Sequence, residues 1–314
     1  SGFTMPWRLY TNEYWAPTEV NNSTHGLKYN RFISSDSFFD LLLKIDSKDY
    51  ITGHGARRDT VNIYTVFGAG DDAWTADEAP IGFFGGPLFS VEGRLAFGGA
   101  ISTSRDSSKV RTVTLKGNYT KQLNNNHQLK TGGEFVYSKL DLKYGSQNEF
   151  LPLGNYWSFM DVNPYRLSVF AQDKLEYKGF VAIVGLNLDV LNPNGDWYVI
   201  ENYDDDFFSS NYTAAAEETF ETVTLDPQVQ LSPRLALSHP ITETSKLYFN
   251  YGHYQQMPIA QDLYRVRRGF SEEVLTIGDP TLPMANTIAY EIGFDQSFLE
   301  SYLIHISAYY KDIS

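Results

Sequence analysis

Two short stretches concentrate side chains that could do chemistry. In WYVIENYDDDFFSSNY (197–212), Asp204, Asp205 and Asp206 are hard oxygen donors of the kind Ca²⁺ accepts, and Trp197, Tyr203 and the neighbouring rings could stack on a ligand. The same run also reads as a solvated acidic tip above a girdle of aromatic residues. In YRVRRGFSEE (264–273), Arg265, Arg267 and Arg268 offer planar guanidinium forks to an anionic ligand or a lipid phosphate. Ordinary salt bridges to Glu272 and Glu273 would use the same groups.

Elsewhere the signatures of catalysis are missing, and no enzyme is expected. GAGDDA (68–73) resembles a dinucleotide glycine pattern, but no apolar-periodic helix follows to present its N-terminus to a phosphate, so it reads as a loop. The six histidines form no i, i+4 pair, and His305 is expected to line the polar, lumen face or to pack. There is no cysteine, which removes disulfides, thiolate metal sites and thiol nucleophiles. The formal net charge of −13 argues against nucleic acid as a partner, because phosphate neutralisation needs a basic surface. Apart from Ca²⁺ in the acidic loop, no cofactor is expected.

The elements that must position these loops are strands. In TIAYEIGFDQ (287–296), Ile288, Tyr290, Ile292 and Phe294 alternate with Ala289, Glu291, Gly293 and Asp295. That period of two belongs to a half-apolar strand. Five such units recur as hairpins: 27–34 with 38–47, 109–122 with 128–144, 166–176 with 180–190, 228–238 with 246–256, and 287–296 with 302–311. Turns within the units are short and polar. Connections between them, about 46–107, 145–165, 192–227 and 254–286, are mostly several times longer.

A rule of short turns at one end and long loops at the other is that of an outer-membrane barrel, whose strands run apolar-out and polar-in. Aromatic residues make up 15% of the chain, which suits girdles at two membrane interfaces. The expected fold is therefore all-β: an antiparallel transmembrane β-barrel, here a segment of a large one, with long extracellular loops and short periplasmic turns. A soluble antiparallel β protein would show the same alternation, because lipid and core look alike to a side chain. Two residues resist the outward pattern: Asp173, expected at the membrane interface, and Pro233, expected at a bulge or strand end.

The stretches FAQDKLEYKGFVAIVGLNLDV (170–190), LSPRLALS (231–238), KLYFNYGHYQQMP (246–258) and IGDPTLPMANTIAYEIGFDQ (277–296) follow one another in a familiar order. Over about 165–312 the chain resembles TonB-dependent outer-membrane transporters, in the central part of their barrel. The resemblance implies energy-coupled uptake of a scarce nutrient, small-molecule or oligomeric, such as a siderophore, corrinoid, glycan or peptide. It also implies contact with outer-membrane lipid and with the TonB complex through a plug domain. That family closes about 22 strands, whereas about ten are legible here. Residues 1–314 are accordingly expected to be a partial barrel domain, with plug and remaining strands outside this chain. A passive porin or structural barrel, and a secreted all-β binding module, are the competing functions.

Overall fold

The alternating segments become ten long antiparallel strands in a computed structural model, which describes residues 17–53, 63–67, 74–79, 82–84, 90–91, 95–96, 103–147, 152–201, 207–209, 212–299 and 301–314. They are β1 (Thr18–Ser34), β2 (Ser37–Thr52), β3 (Lys109–Gln122), β4 (His127–Ser146) and β5 (Tyr165–Tyr177), then β6 (Phe180–Asn192), β7 (Gln228–Thr242), β8 (Ser245–Gln256), β9 (Ala285–Phe298) and β10 (Tyr302–Ile313). Each pairs with its chain neighbours in one continuous path. Among the described residues β1 pairs only with β2, and β10 only with β9.

Several strands are longer than the roughly ten residues that the bilayer needs. β1 covers 17 residues and β4 covers 20. The first half of β1, TEVNNSTHG, has no apolar alternation, so the sequence expectation began only at residue 27. Its polar side chains suit a ladder projecting beyond lipid.

The tight turn between β5 and β6 shows how local chemistry sets register. Lys178 and Gly179 both have positive φ, 48° and 82°. Two such residues make a type I′ hairpin loop, whose twist matches that of the flanking strands. The turn fixes Tyr177 opposite Phe180, and the register continues to Tyr165 opposite Asn192.

Facing distinguishes a membrane wall from a soluble sheet. On one face Val184, Leu231 and Ile292 are 59%, 54% and 50% exposed, and Leu41, Leu186 and Ile306 are likewise uncovered. A soluble protein would bury such a surface, which far exceeds the few hundred Å² of a normal apolar patch. The buried apolar residues that exist, Met160, Leu191, Phe207, Leu263, Tyr264, Val274 and Met284, all lie toward the long-loop end. No second layer covers the apolar face among the described residues.

The opposite face is polar and laced with ion pairs. Glu134 accepts from Arg166 at 2.6 Å and lies 3.5 Å from Lys116. Lys44 pairs with Asp46, and Asp295 holds both Lys246 and His305. His305 also stacks on Tyr248, so it sits on the polar face as expected. Tyr248 in turn lies over Gly293, where an added Cβ would come within 2.1 Å of the ring.

The two resisting residues find local solutions. Asp173 lies near the short-turn end of β5, where it bonds His127 Nδ1 at 2.7 Å. Pro233 occupies neither a bulge nor a strand end: β7 runs through it, opposite Leu186 of β6. The β7–β8 ladder begins only at Arg234 opposite Gly252, so the amide that proline lacks is not missed there.

Candidate functional site

The long-loop end carries a cap built on the overhang of β4. Its last residues, Leu140–Ser146, pair with the strand Tyr156–Val162. That strand recruits Val266–Arg268, which pairs with Val274–Ile277. A one-turn helix, α1 (Ala260–Tyr264), brings Leu263 and Tyr264 against Met160, with Leu140, Leu142, Val162 and Trp197 around them. The cap therefore has its own apolar core, although among the described residues the wall below has none.

Trp197 anchors this core. Its indole N–H donates to the Gly278 carbonyl at 3.0 Å, and its ring meets Tyr264 edge-on at 6.3 Å. Gly278 permits the approach: a Cβ there would sit 2.7 Å from the Leu263 backbone. The Tyr264 hydroxyl is buried without a hydrogen-bond partner, and burial pushes it up to about 12.

Arg268 is committed to an internal clamp. Its Nη2 donates to both Glu217 oxygens, at 2.6 and 2.7 Å. Nη1 donates to the Tyr212 hydroxyl and to the Glu272 carbonyl. Tyr198 and Tyr212 also donate to Glu217, at 2.6 and 2.7 Å. Phe207 and Phe220 enclose the group, with Phe207 meeting Tyr198 at 4.9 Å and Phe220 at 5.0 Å. The carboxylate expected beside Arg268 was Glu272 or Glu273. It is Glu217 instead, because the short helical segment Ala216–Thr219 brings it against the Val266–Arg268 strand. Among the described residues, Tyr198, Phe207, Tyr212 and Phe220 pack on one another here.

Burial raises the Glu217 carboxyl, but the hydrogen bonds from Arg268, Tyr198 and Tyr212 outweigh it, so the group is held below its ordinary 4.5. Burial and then the Glu217 hydrogen bond push Tyr198 up to about 12. The signs follow. A depressed carboxyl stabilises the clamp above 4.5 and loses that contribution as pH falls through its lower folded value; a raised phenol stabilises below 10.0 and loses it as pH rises through about 12. Limited proteolysis within 207–220 should therefore accelerate below the carboxylate range and again in strong alkali. Cleavage rates flat from neutral to strongly acidic pH would contradict the clamp.

The other predicted arginines keep spare donors. Arg267 lies over the Tyr156 ring at 3.9 Å, a cation–π contact. The Nε atoms of both Arg265 and Arg267 are buried without a partner. Thus the structure brings Trp197, Arg265, Arg267 and Arg268 into one cap. Tyr203, Asp204, Asp205 and Asp206 lie outside the described residues, as does 68–73, and among the described residues no cluster of metal-ligating side chains occurs. Glu217 was not singled out, because nothing local in AAAEETF marks it; the only available signal was an arginine among aromatics that would need a buried counter-ion.

The chain matches the family model described as "TonB dependent receptor-like, beta-barrel" over residues 2–314. No match is found among curated proteins. Among solved structures it is similar to the copper transporter OprC, with TM-score 0.54 and 13% identity, over 94% of this chain and 39% of that one. It is also similar to the FrpB iron transporter of Neisseria meningitidis (F5-1 variant), with TM-score 0.51 and 13% identity, over 94% and 37%. The ferric-catecholate import receptor Fiu of E. coli K12 in its closed form gives TM-score 0.51 and 13% identity, over 96% and 42%. At these identities the likeness is one of fold. The chain spans about two fifths of the length of these relatives.

Proposed function

Because the chain belongs to the TonB-dependent receptor-like β-barrel family, whose members are outer-membrane transporters and not enzymes, we propose that it forms part of a barrel wall through which a scarce nutrient is taken up. The observation that carries this reading is the two-faced sheet: one face continuously apolar and uncovered, the other polar and ion-paired, with long connections at one end only. Lipid takes the first face, and water and solute meet the second. The cap is where solute arrives, with Arg265 and Arg267 as cations that form no ion pair among the described residues, and Trp197 and Arg268 holding the surface that carries them. Energy reaches the passage through a plug domain and the TonB complex, neither of them in this chain. Siderophores, corrinoids, glycans and peptides are all compatible with a passage of this kind.

The test uses the full-length protein in its own cell. It should fractionate with outer membrane and require detergent, and recovery as a soluble monomer would sink the wall reading. Metabolite depletion from the medium should then be compared among wild type, a deletion of this gene and a strain lacking TonB. Loss of the same compound in both mutants supports energy-coupled uptake. Loss only in the gene deletion would make the barrel a passive porin.

A further inference from the structure

Several cations on the polar face have no carboxylate partner among the described residues, Lys28 of β1 and Lys48 of β2 included, and three of them stand in one row. Lys130, Arg234 and Lys311 are exposed and form no ion pair among the described residues. They also share one register line. Lys130 stands opposite Gln172, Gln172 opposite Gly185, and Gly185 opposite Arg234. The line continues from Arg234 to Gly252, from Gly252 to Ala289, and from Ala289 to Lys311. Three strand intervals separate each cation from the next, or about 14 Å between backbones at ~4.8 Å per interval.

Between the cations the floor is low. Gly185, Gly252 and Ala289 have little or no side chain, and Tyr254 folds over Gly252 while the Arg234 guanidinium lies over the Tyr254 ring at 4.9 Å. A recess of about 410 Å³ holds Lys130 and Arg234 together with Gln172, Asn187, Asn250 and Glu291. A second, of about 710 Å³, holds Lys311 and Ala289 and shares Tyr254 and Glu291 with the first. Glu291 is occupied by hydrogen bonds from Asn250 at 3.1 Å and Tyr248 at 3.3 Å. Unpaired cations beside amide donors are the chemistry that holds a carboxylate.

We propose that the Lys130–Arg234–Lys311 line is an anion track on the inner wall, taking small solutes that carry two or more carboxylates, with its principal seat between Lys130 and Arg234. The line starts near the short-turn end of β4 and ends near the long-loop end of β10, so a bound anion can pass between seats as it crosses the wall. This rests on the reading that the polar face lines a passage.

These 314 residues hold no cysteine, so a direct test is available once any cysteine elsewhere in the full-length protein has been replaced by serine. Ala289→Cys, made in the full-length protein, places one thiol in the groove. An anionic methanethiosulfonate should modify it about tenfold faster than a cationic one of similar size, citrate should protect it, and the triple variant Lys130→Gln, Arg234→Gln, Lys311→Gln should abolish both effects. Replacing the paired Lys44 by Gln should leave them intact. Phosphate in place of citrate asks whether the track prefers carboxylate, and equal protection by both would overturn that selectivity. Equal modification by both reagents in the parent would overturn the track while leaving the passage standing. No modification by either would overturn the passage, and the track with it.

Discussion

Ile292→Arg should destabilise the assembled wall by about 2–4 kcal/mol, the cost of a cation on the lipid face near the bilayer midplane. Ile292 lies at the middle of β9, opposite Phe249 and Ala308. It is half exposed, and among the described residues no protein layer covers that side of the sheet. Its neighbour Glu291 points the other way and accepts from Asn250 and Tyr248. Glu291→Arg should therefore cost only about 1 kcal/mol, the net worth of the side-chain hydrogen bonds lost in a hydrated setting. Urea-titrated folding of the full-length protein into lipid vesicles measures both. Equal losses for the two variants would mean that the assigned faces are wrong.

Removing either partner of the cap's ion pair should be larger still, although confined to the cap. The Arg268 and Glu217 side chains are only 18% and 10% exposed, so neither charge can turn to water if the other is lost. Breaking such a pair costs about 3–5 kcal/mol, because one buried charge remains uncompensated. Arg268→Ala and Glu217→Ala should each free the Val199 amide, which donates to Glu221 across the loop, and the strand pairing at Val266–Arg268. Hydrogen exchange of those amides is the readout. The paired replacement Arg268→Met with Glu217→Leu should recover most of the protection, since a packed apolar pair needs no counter-ion. If the single variants exchange like wild type, the clamp does not hold the cap together.

The wall was legible in the sequence because period-two alternation and turn chemistry are local. Ile288 to Phe294 reveal their facing without knowledge of their partners, and the Lys178-Gly179 turn needs only its own two residues. Asp173 breaks that alternation, and the His127 it bonds comes from the neighbouring strand, which its own sequence surroundings do not show. Pro233 was not legible either, because its tolerance depends on where the β7–β8 ladder begins, a fact about two strands. The cap was the least legible part. Arg268 and Glu217 are separated by loop sequence with no periodicity, and only the assembled fold brings Tyr198, Tyr212 and Glu217 around one guanidinium. The cation line occupies a middle ground: Lys130, Arg234 and Lys311 can each be assigned to the polar face from sequence, but their common row follows from six successive registers.

Every long strand pairs with the strand next to it in the chain, and this bears on how the wall assembles and changes over generations. Five of the pairings close through short turns, so each hairpin can form on a local time scale before docking to its predecessor. The slowest encounters join one hairpin to the next, above all β2 to β3 across 53–108. Doubling the length of such a connection adds only about 0.6 kcal/mol of closure entropy. Insertions, deletions and exchanges in the long connections are therefore nearly neutral for the scaffold, whereas a one-residue slip in any strand would turn its charges into lipid. Selection can rewrite the loops while the strands keep the same frame.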